Sequence, residues 1–251
     1  MNFTCQCGAT IEGDDLQTLG DTFIAHVRAE HTDWPYPDMA VRNFAEATQR
    51  LTGSNERLEF IGEVAVEPVT AERIDDWLQL FDHDGFAGNP EWAACYCLEP
   101  HESSPDQTEM AEAHWSQRRS QMVERLSHGG THGYLAYVAG RPAGWVNASK
   151  RSDYALYRLG AGAEPADADV VGISCFVIAP PYRRHGLADT LLRRVVADAP
   201  GRGVAYVEAY PPTEAREGDA PNFRGPKPMY EAHGFEPLEQ RGRNTVMRLK
   251  V

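Results

Sequence analysis

The sequence predicts an α/β fold: a sheet with helices packed on its faces, preceded by a small N-terminal zinc-finger-like unit. Three observations carry this. From Leu58 onward, short apolar runs alternate with helical stripes in the order strand, helices, hairpin, strand, helix, strand, helix, two strands. The strand Val170 to Ile178 runs through Ala179-Pro180-Pro181-Tyr182-Arg183-Arg184-His185-Gly186 into a helix whose Leu187, Leu191, Leu192, Val195 and Val196 share one face. Ahead of all this, Cys5-Gln6-Cys7-Gly8 precedes a helix carrying His26, with His31 just beyond it.

Composition bounds the reading. The 251 residues suit one large domain, or an ordinary domain plus a small one. An apolar content of 42% with 10% aromatics is ample for a core. Against 37 acidic residues stand 24 basic ones, a net charge of -13. Such a surface opposes nucleic-acid and anionic-membrane binding and favours cationic small partners. Any polyanion site must therefore be local, which singles out Arg183, Arg184 and His185. No apolar run reaches the length of a membrane span. The start, Met1-Asn2-Phe3-Thr4-Cys5, has no secretory pattern, and the odd cysteine count with Cys-x-Cys spacing argues against a disulfide framework. A reducing cytoplasm is the expected location.

Residues 1–34 read as the separate unit, with a helix from Thr18 to Glu30. Cys5, Cys7, His26 and His31 form a tetrahedral zinc set, in a unit too short to fold on its core alone. The alternative is two unrelated cysteines and two surface histidines. Trp34-Pro35-Tyr36-Pro37 is a break, and residues 35–57 form a helical connector with Val41, Phe44, Thr48 and Leu51 on one face. Residues 58–251 form the main domain. Phe60 to Val66 reads as its first strand, and Thr70 caps a helix with Ile74, Trp77, Leu78 and Phe81 in a stripe. Trp92 to Cys97 reads as a short strand or a pocket wall. Pro105-Asp106 opens a second helix through Met122 and Leu126. Gly133 to Val138 and Pro142 to Ala148 form a hairpin. Lys150 to Asp169 reads as a mobile loop near a substrate mouth. A strand from Gly203 to Tyr210 follows, then a polar loop to Pro226, a short helix ending at Gly234, and strands around Phe235 to Leu238 and Val246 to Leu249.

The turn before Leu187 is the strongest functional signal. Free N–H groups at a helix start, a glycine and adjacent arginines make a site for a pyrophosphate. Arg183-Arg184-His185-Gly186-Leu187-Ala188, preceded by Ile178-x-Pro180-x-Tyr182, resembles the acyl-CoA signature of the GCN5-related N-acetyltransferase (GNAT) superfamily. Met229-Tyr230-Glu231-Ala232-His233-Gly234-Phe235 resembles the Tyr-Glu-x-x-Gly-Phe ending of the same enzymes, and the two occur together with strand, helix and strand between. Trp92-x-x-Cys95-Tyr96-Cys97 with Phe223-x-Gly225 is similar to a bacterial branch of the superfamily.

The resemblance, over residues 58–251, implies a mixed, largely antiparallel sheet and an acetyl-CoA-dependent N-acetyltransferase acting on a small, cationic amine. It implies that the amides from Arg184 through Gly186, Leu187 and Ala188 to the first turn at Asp189 hold the CoA pyrophosphate, with Arg183 and His185 flanking. It implies that Phe176, Val177 and Ile178 carry the pantetheine, with one amide binding the thioester oxygen. Tyr230 stands at the position of the acid, or is a packing aromatic. Glu208 is a candidate base if buried, or a strand-edge charge; Asp82, Asp84 and His101 are further candidates. Cys95, Cys97 and Cys175 are wall residues, with an acyl-cysteine intermediate as the sharper alternative. A different acyl donor (a longer acyl-CoA or an aminoacyl-tRNA) and a non-catalytic CoA sensor are the competing functions. A homodimer is compatible with all of these.

Overall fold

Asp15 starts the first helix, because its carboxylate accepts from the Thr18 amide at 2.7 Å while the Thr18 hydroxyl accepts from the Asp15 amide at 3.0 Å. The structure, a computed structural model, describes residues 1–102, 112–214, 216–218 and 220–251. Helix α1 (Leu16–Glu30) thus begins two residues before the expected Thr18. It packs Leu19, Phe23 and Val27 against a two-stranded sheet of β1 (Asn2–Thr4) and β2 (Thr10–Glu12). Helix α2 (Asp38–Arg50) gives Val41 and Ala45 to this small core and Ala47 to the large one.

Seven strands form the main sheet: β3 (Val64–Pro68), β4 (Gly133–Val138), β5 (Arg141–Lys150), β6 (Val170–Ile178), β7 (Tyr206–Ala209), β8 (Glu236–Arg241) and β9 (Asn244–Lys250). Their order is β3-β4-β5-β6-β7-β9-β8. Only the β6–β7 pair is parallel, so the sheet is mixed and mostly antiparallel. Period-two alternation sorts the side chains between two faces. Tyr134, Ala136, Val146 and Ala148 meet helix α5 (Leu187–Asp198) and helix α6 (Lys227–Ala232). Leu135 and Trp145 meet helix α3 (Ile74–Gln79), its continuation Leu80–Asp84, and helix α4 (Trp115–Ser127).

Several expectations need correction or narrowing. The first strand starts at Val64, later than Phe60, whose ring is 80% exposed. The stretch before it lies instead across the turn after β6, where the Leu58 amide donates to Pro181 O at 2.9 Å. Trp92 to Cys97 forms no strand; it is a run of turns between the 3-10 turns Pro90–Trp92 and Glu99–His101. Lys150 to Asp169 is fastened to the sheet. Arg151, 1% exposed, donates to Asp167 Oδ1 at 2.5 Å, Pro165 O at 2.6 Å and Glu208 Oε1 at 3.0 Å. The expected start of the second helix at Pro105-Asp106 lies outside the described residues, and α4 begins behind its cap, His114. The strand expected from Gly203 starts at Tyr206, because Gly203 closes a turn at φ +68°.

One irregularity governs the middle of the sheet. Asn147 on β5 opposes Cys175, whereas Ala148 opposes Ile173, so Ser174 is an extra residue in β6. A bulge of this kind reverses the in–out alternation beyond it. Val171 and Ile173 face α5 before the bulge; after it Phe176 and Ile178 do, while Cys175 and Val177 turn to the opposite core. The pairing of β6 with β7 stops at the same place, covering only Val170 to Ile173. From Ser174 to Ile178 the two strands part.

Candidate functional site

The parted edge of β6 opens a cavity of about 520 Å³ that runs from the start of α5 to the Cys95–Glu99 turns. At its first end the chain turns sharply. Arg184 has φ +65° and Gly186 has φ +77°, and a Cβ added at Gly186 would meet nothing within 4 Å. Two left-handed residues just before a helix aim successive amides into one concavity, and the helix dipole adds positive potential there. Arg184, Gly186, Leu187, Ala188 and Asp189 all line the cavity, as does Arg183. The Arg183 guanidinium also braces the turn, with Nε donating to Ile178 O at 2.9 Å. His185 is not among the lining residues; its Nε2 lies 2.9 Å from Leu58 O, so the segment before β3 holds the ring aside. Asp189 would oppose an anion, but Arg193 Nε at 3.1 Å offsets its charge, and His233 Nε2 lies 2.6 Å from its carboxylate.

Along the strand, Cys175, Phe176, Val177 and Ile178 form the floor. The Phe176 amide, on the edge facing away from β5, donates to Phe223 O at 2.6 Å. The loop before α6 therefore supplies the partner that β7 no longer provides.

The far end is walled by Cys95, Cys97 and Glu99. Tyr96 and Cys97 hold φ values of +48° and +52°, two consecutive left-handed non-glycine residues. Such strain persists only where the surroundings over-determine it. Here the Tyr96 ring packs against the stacked pair of Trp77 and Phe81, its hydroxyl donates to Asp82 Oδ1 at 2.6 Å, and it accepts from Arg50 at 3.0 Å. Asn147, opposite the bulge, donates to Cys97 O at 3.4 Å. Glu99 lines the cavity and makes no hydrogen bond or ion pair with another described side chain. Sequence reasoning missed it; the available signal was a carboxylate two residues past Cys97 in an apolar stretch.

The other candidate groups lie elsewhere. Glu208 is 1% exposed and away from the cavity lining. Its Oε1 takes Arg151 at 3.0 Å and Arg248 at 2.9 and 2.7 Å, and its Oε2 takes the Tyr210 hydroxyl at 3.1 Å. It is a buried ion-pair centre with no access to an amine. Tyr230 is fully buried behind Gly225; its hydroxyl donates to Arg224 O at 2.6 Å, and burial pushes the phenol well above its ordinary pKa. Asp82 accepts from Arg119 at 2.9 Å, and Asp84 from Arg141 at 2.8 Å. His101 is enclosed. Its Nε2 lies 3.1 Å from Asn147 Nδ2 and 3.2 Å from Thr131 Oγ1, and its Nδ1 lies 3.0 Å from Asp153 O and 3.1 Å from Arg125 Nη2, so both ring nitrogens are engaged within the protein. Burial pushes the Cys95 thiol up to about 12, with the Glu99 charge adding to it, and pushes Cys97 well up. Protonated thiols are poor nucleophiles, which disfavours the acyl-cysteine route.

At the N-terminus the four expected ligands converge. Gly8, at φ +90°, closes the Cys5–Cys7 knuckle, with Cys5 N donating to Ala9 O at 2.8 Å. Cys5 Sγ lies 3.4 Å from His31 Nε2, and Cys7 Sγ lies 3.4 Å from His26 Nε2. All four donor atoms lie within 4.8 Å of one another. Zinc bonds of about 2.0–2.3 Å in a tetrahedron separate neighbouring ligands by roughly 3.5 Å, so the set fits that ion.

The sequence profile of the Acetyltransferase (GNAT) family matches residues 90–235, more than half of the chain. No curated protein gives a significant match. Among solved structures, the chain is similar to the GNAT domain of S. lividans PAT, at 16% identity and TM-score 0.46, covering 76% of this chain and 92% of that one. It is similar to the PaiA N-acetyltransferase of Thermoplasma acidophilum in complex with coenzyme A, at 12% identity and TM-score 0.47, covering 75% and 99%. A third is an N-acetyltransferase from Staphylococcus aureus Mu50, at 12% identity and TM-score 0.46, covering 75% and 99%.

His101 gives a pH prediction. Burial lowers its pKa from 6.5 to about 4, so the folded state resists a proton that the unfolded chain accepts. Stability is then complete above pH 6.5 and falls as the pH drops towards 4, by about 3 kcal/mol in all. Denaturant titrations across this window should show that slope in the wild type and a flatter one in His101→Gln.

Proposed function

The chain belongs to the acetyltransferase (GNAT) family, and we propose that it moves an acetyl group from acetyl-CoA to the amine of a small cationic molecule, by direct attack in a ternary complex. The observation that carries this is one continuous cavity, joining the amide-rich turn before α5 to an acidic, thiol-lined end along the parted edge of β6. In this reading the amides of Arg184 to Ala188 hold the pyrophosphate. The Phe176–Ile178 edge aligns the pantetheine. The thioester oxygen takes the Phe176 N–H in exchange for the Phe223 carbonyl, so that one fixed donor faces the oxyanion as it forms.

Glu99 receives the acceptor. An ammonium is attracted to its carboxylate, and the net charge of -13 favours the approach of a cation. Glu99 removes one proton, and the freed amine attacks the thioester carbon. The C–S bond breaks, and of the two protons the ammonium loses, one ends on the CoA thiol and one in solvent. Tyr230 acts as a positioning residue in this account. Its hydroxyl fixes Arg224 and Gly225, which carry the loop against β6.

The same reading assigns a structural zinc to Cys5, Cys7, His26 and His31, a closed four-ligand set with no open position for chemistry. The ion would add folding energy to a small core.

Two outcomes test these assignments. Glu99→Gln should lower kcat/KM for amine acetylation by about 10²–10⁴-fold while leaving the acetyl-CoA thermal shift in place. A rate within twofold of wild type would remove Glu99 from the mechanism. Metal analysis of the purified full chain should find one zinc per chain, lost in Cys5→Ser; no metal in either would return the four residues to an unliganded cluster.

A further inference from the structure

The end of the cavity opposite the phosphate turn carries a pair of sulfurs in contact. The Cys97 thiol donates to Cys175 Sγ at 3.0 Å. These residues are 78 positions apart in the chain, are 2% and 7% exposed, and both line the cavity. We propose that Cys97 and Cys175 are a redox modification site, oxidised to a disulfide in the wall of the acyl-transfer end of the cavity.

Geometry favours this pair. A disulfide needs its sulfurs at about 2.05 Å, so the bond requires an approach of only about 1 Å. Neither sulfur sits on a free loop. Cys97 is held by the strained Tyr96–Cys97 backbone and the Asn147 contact to its carbonyl, and Cys175 belongs to β6 just past the bulge. Fixed neighbours at contact distance react with each other before either finds another partner.

The oxidant is a small hydroperoxide that enters by the cavity. One thiolate attacks the peroxide, the O–O bond breaks, and a sulfenic acid and water (or an alcohol) result. The second thiol then attacks that sulfur, the S–O bond breaks, and a second water leaves with the disulfide formed. The two sulfurs together lose two electrons and the peroxide gains them. Burial pushes the Cys97 thiol well above its ordinary pKa, so the first step is slow and the pair responds to sustained oxidant. The disulfide would draw the wall onto β6 beside the Phe176 amide. That consequence rests on the cavity being the acyl-CoA site.

Peptide mapping of the full-length protein tests the pair directly. The chain is treated with hydrogen peroxide, its remaining thiols are alkylated under denaturing conditions, and it is digested without reductant. Fragmentation spectra should show a Cys97–Cys175 linked peptide, and acetyl transfer should fall in proportion to the linked fraction and return with dithiothreitol. Saturating acetyl-CoA should slow the linkage, because it occupies the route of entry. If Cys97 and Cys175 remain alkylated, or Cys95 replaces either one in the link, the pair is not the site. A link that forms at the same rate with and without acetyl-CoA would leave the pair standing and overturn the acyl-CoA reading of the cavity.

Discussion

The extra residue at Ser174 is the constraint on which the rest depends. A parallel pair in register would run β6 and β7 side by side and bury the edge between them. With one residue inserted opposite Asn147–Ala148, the pairing ends at Ile173 and the alternation beyond it reverses. Phe176 and Ile178 then seat against α5, and Cys175 and Val177 turn to the α3–α4 side. A strand edge thereby becomes a cavity floor.

The walls are stiff because buried polar groups tie them to the sheet. Asn147 faces the bulge and reaches Cys97 O, His101 and the Tyr154 hydroxyl. Glu208, with Arg151 and Arg248, anchors the 151–169 excursion, and Tyr157 from that excursion stacks on Tyr210 at 3.8 Å. The Tyr157 hydroxyl accepts from Arg224, whose carbonyl takes the Tyr230 proton. Buried charges of this kind are costly unless fully paired, and here each partner is present. On the other side α2 gives Arg50 to Tyr96 and Glu46 to the Trp115 indole at 2.6 Å, so the connector helix braces the same wall.

The parts legible in the sequence were those written in local pattern. Gly186 with its arginines and the Leu187–Val195 stripe marked the turn before α5. Cys5, Cys7, His26 and His31 were legible because ligand spacing is a local rule. The order of strands and helices was legible from periodicity. Glu208 misled because an acidic residue in an apolar strand reads alike whether it faces a ligand or two arginines, and Arg151 and Arg248 come from distant segments. Tyr230 carried the motif but not the orientation of its hydroxyl. Lys150 to Asp169 looked mobile because Arg151, which fastens it, is an ordinary surface residue by composition. Glu99, the Phe223 carbonyl and the Cys97–Cys175 contact depend on chain crossings that no short window contains.

The central claim is that the turn before α5 is a phosphate cradle serving one acyl-CoA cavity. Calorimetric titration of acetyl-CoA into wild type and Gly186→Val tests it most directly. Gly186 sits at φ +77° with open space where a Cβ would project, so valine would strain the turn and fill the cradle without touching a core residue. The account predicts saturable, one-site binding in the wild type that is lost in the variant, with near-wild-type circular dichroism. Equal binding by both proteins, or none by the wild type, would contradict it.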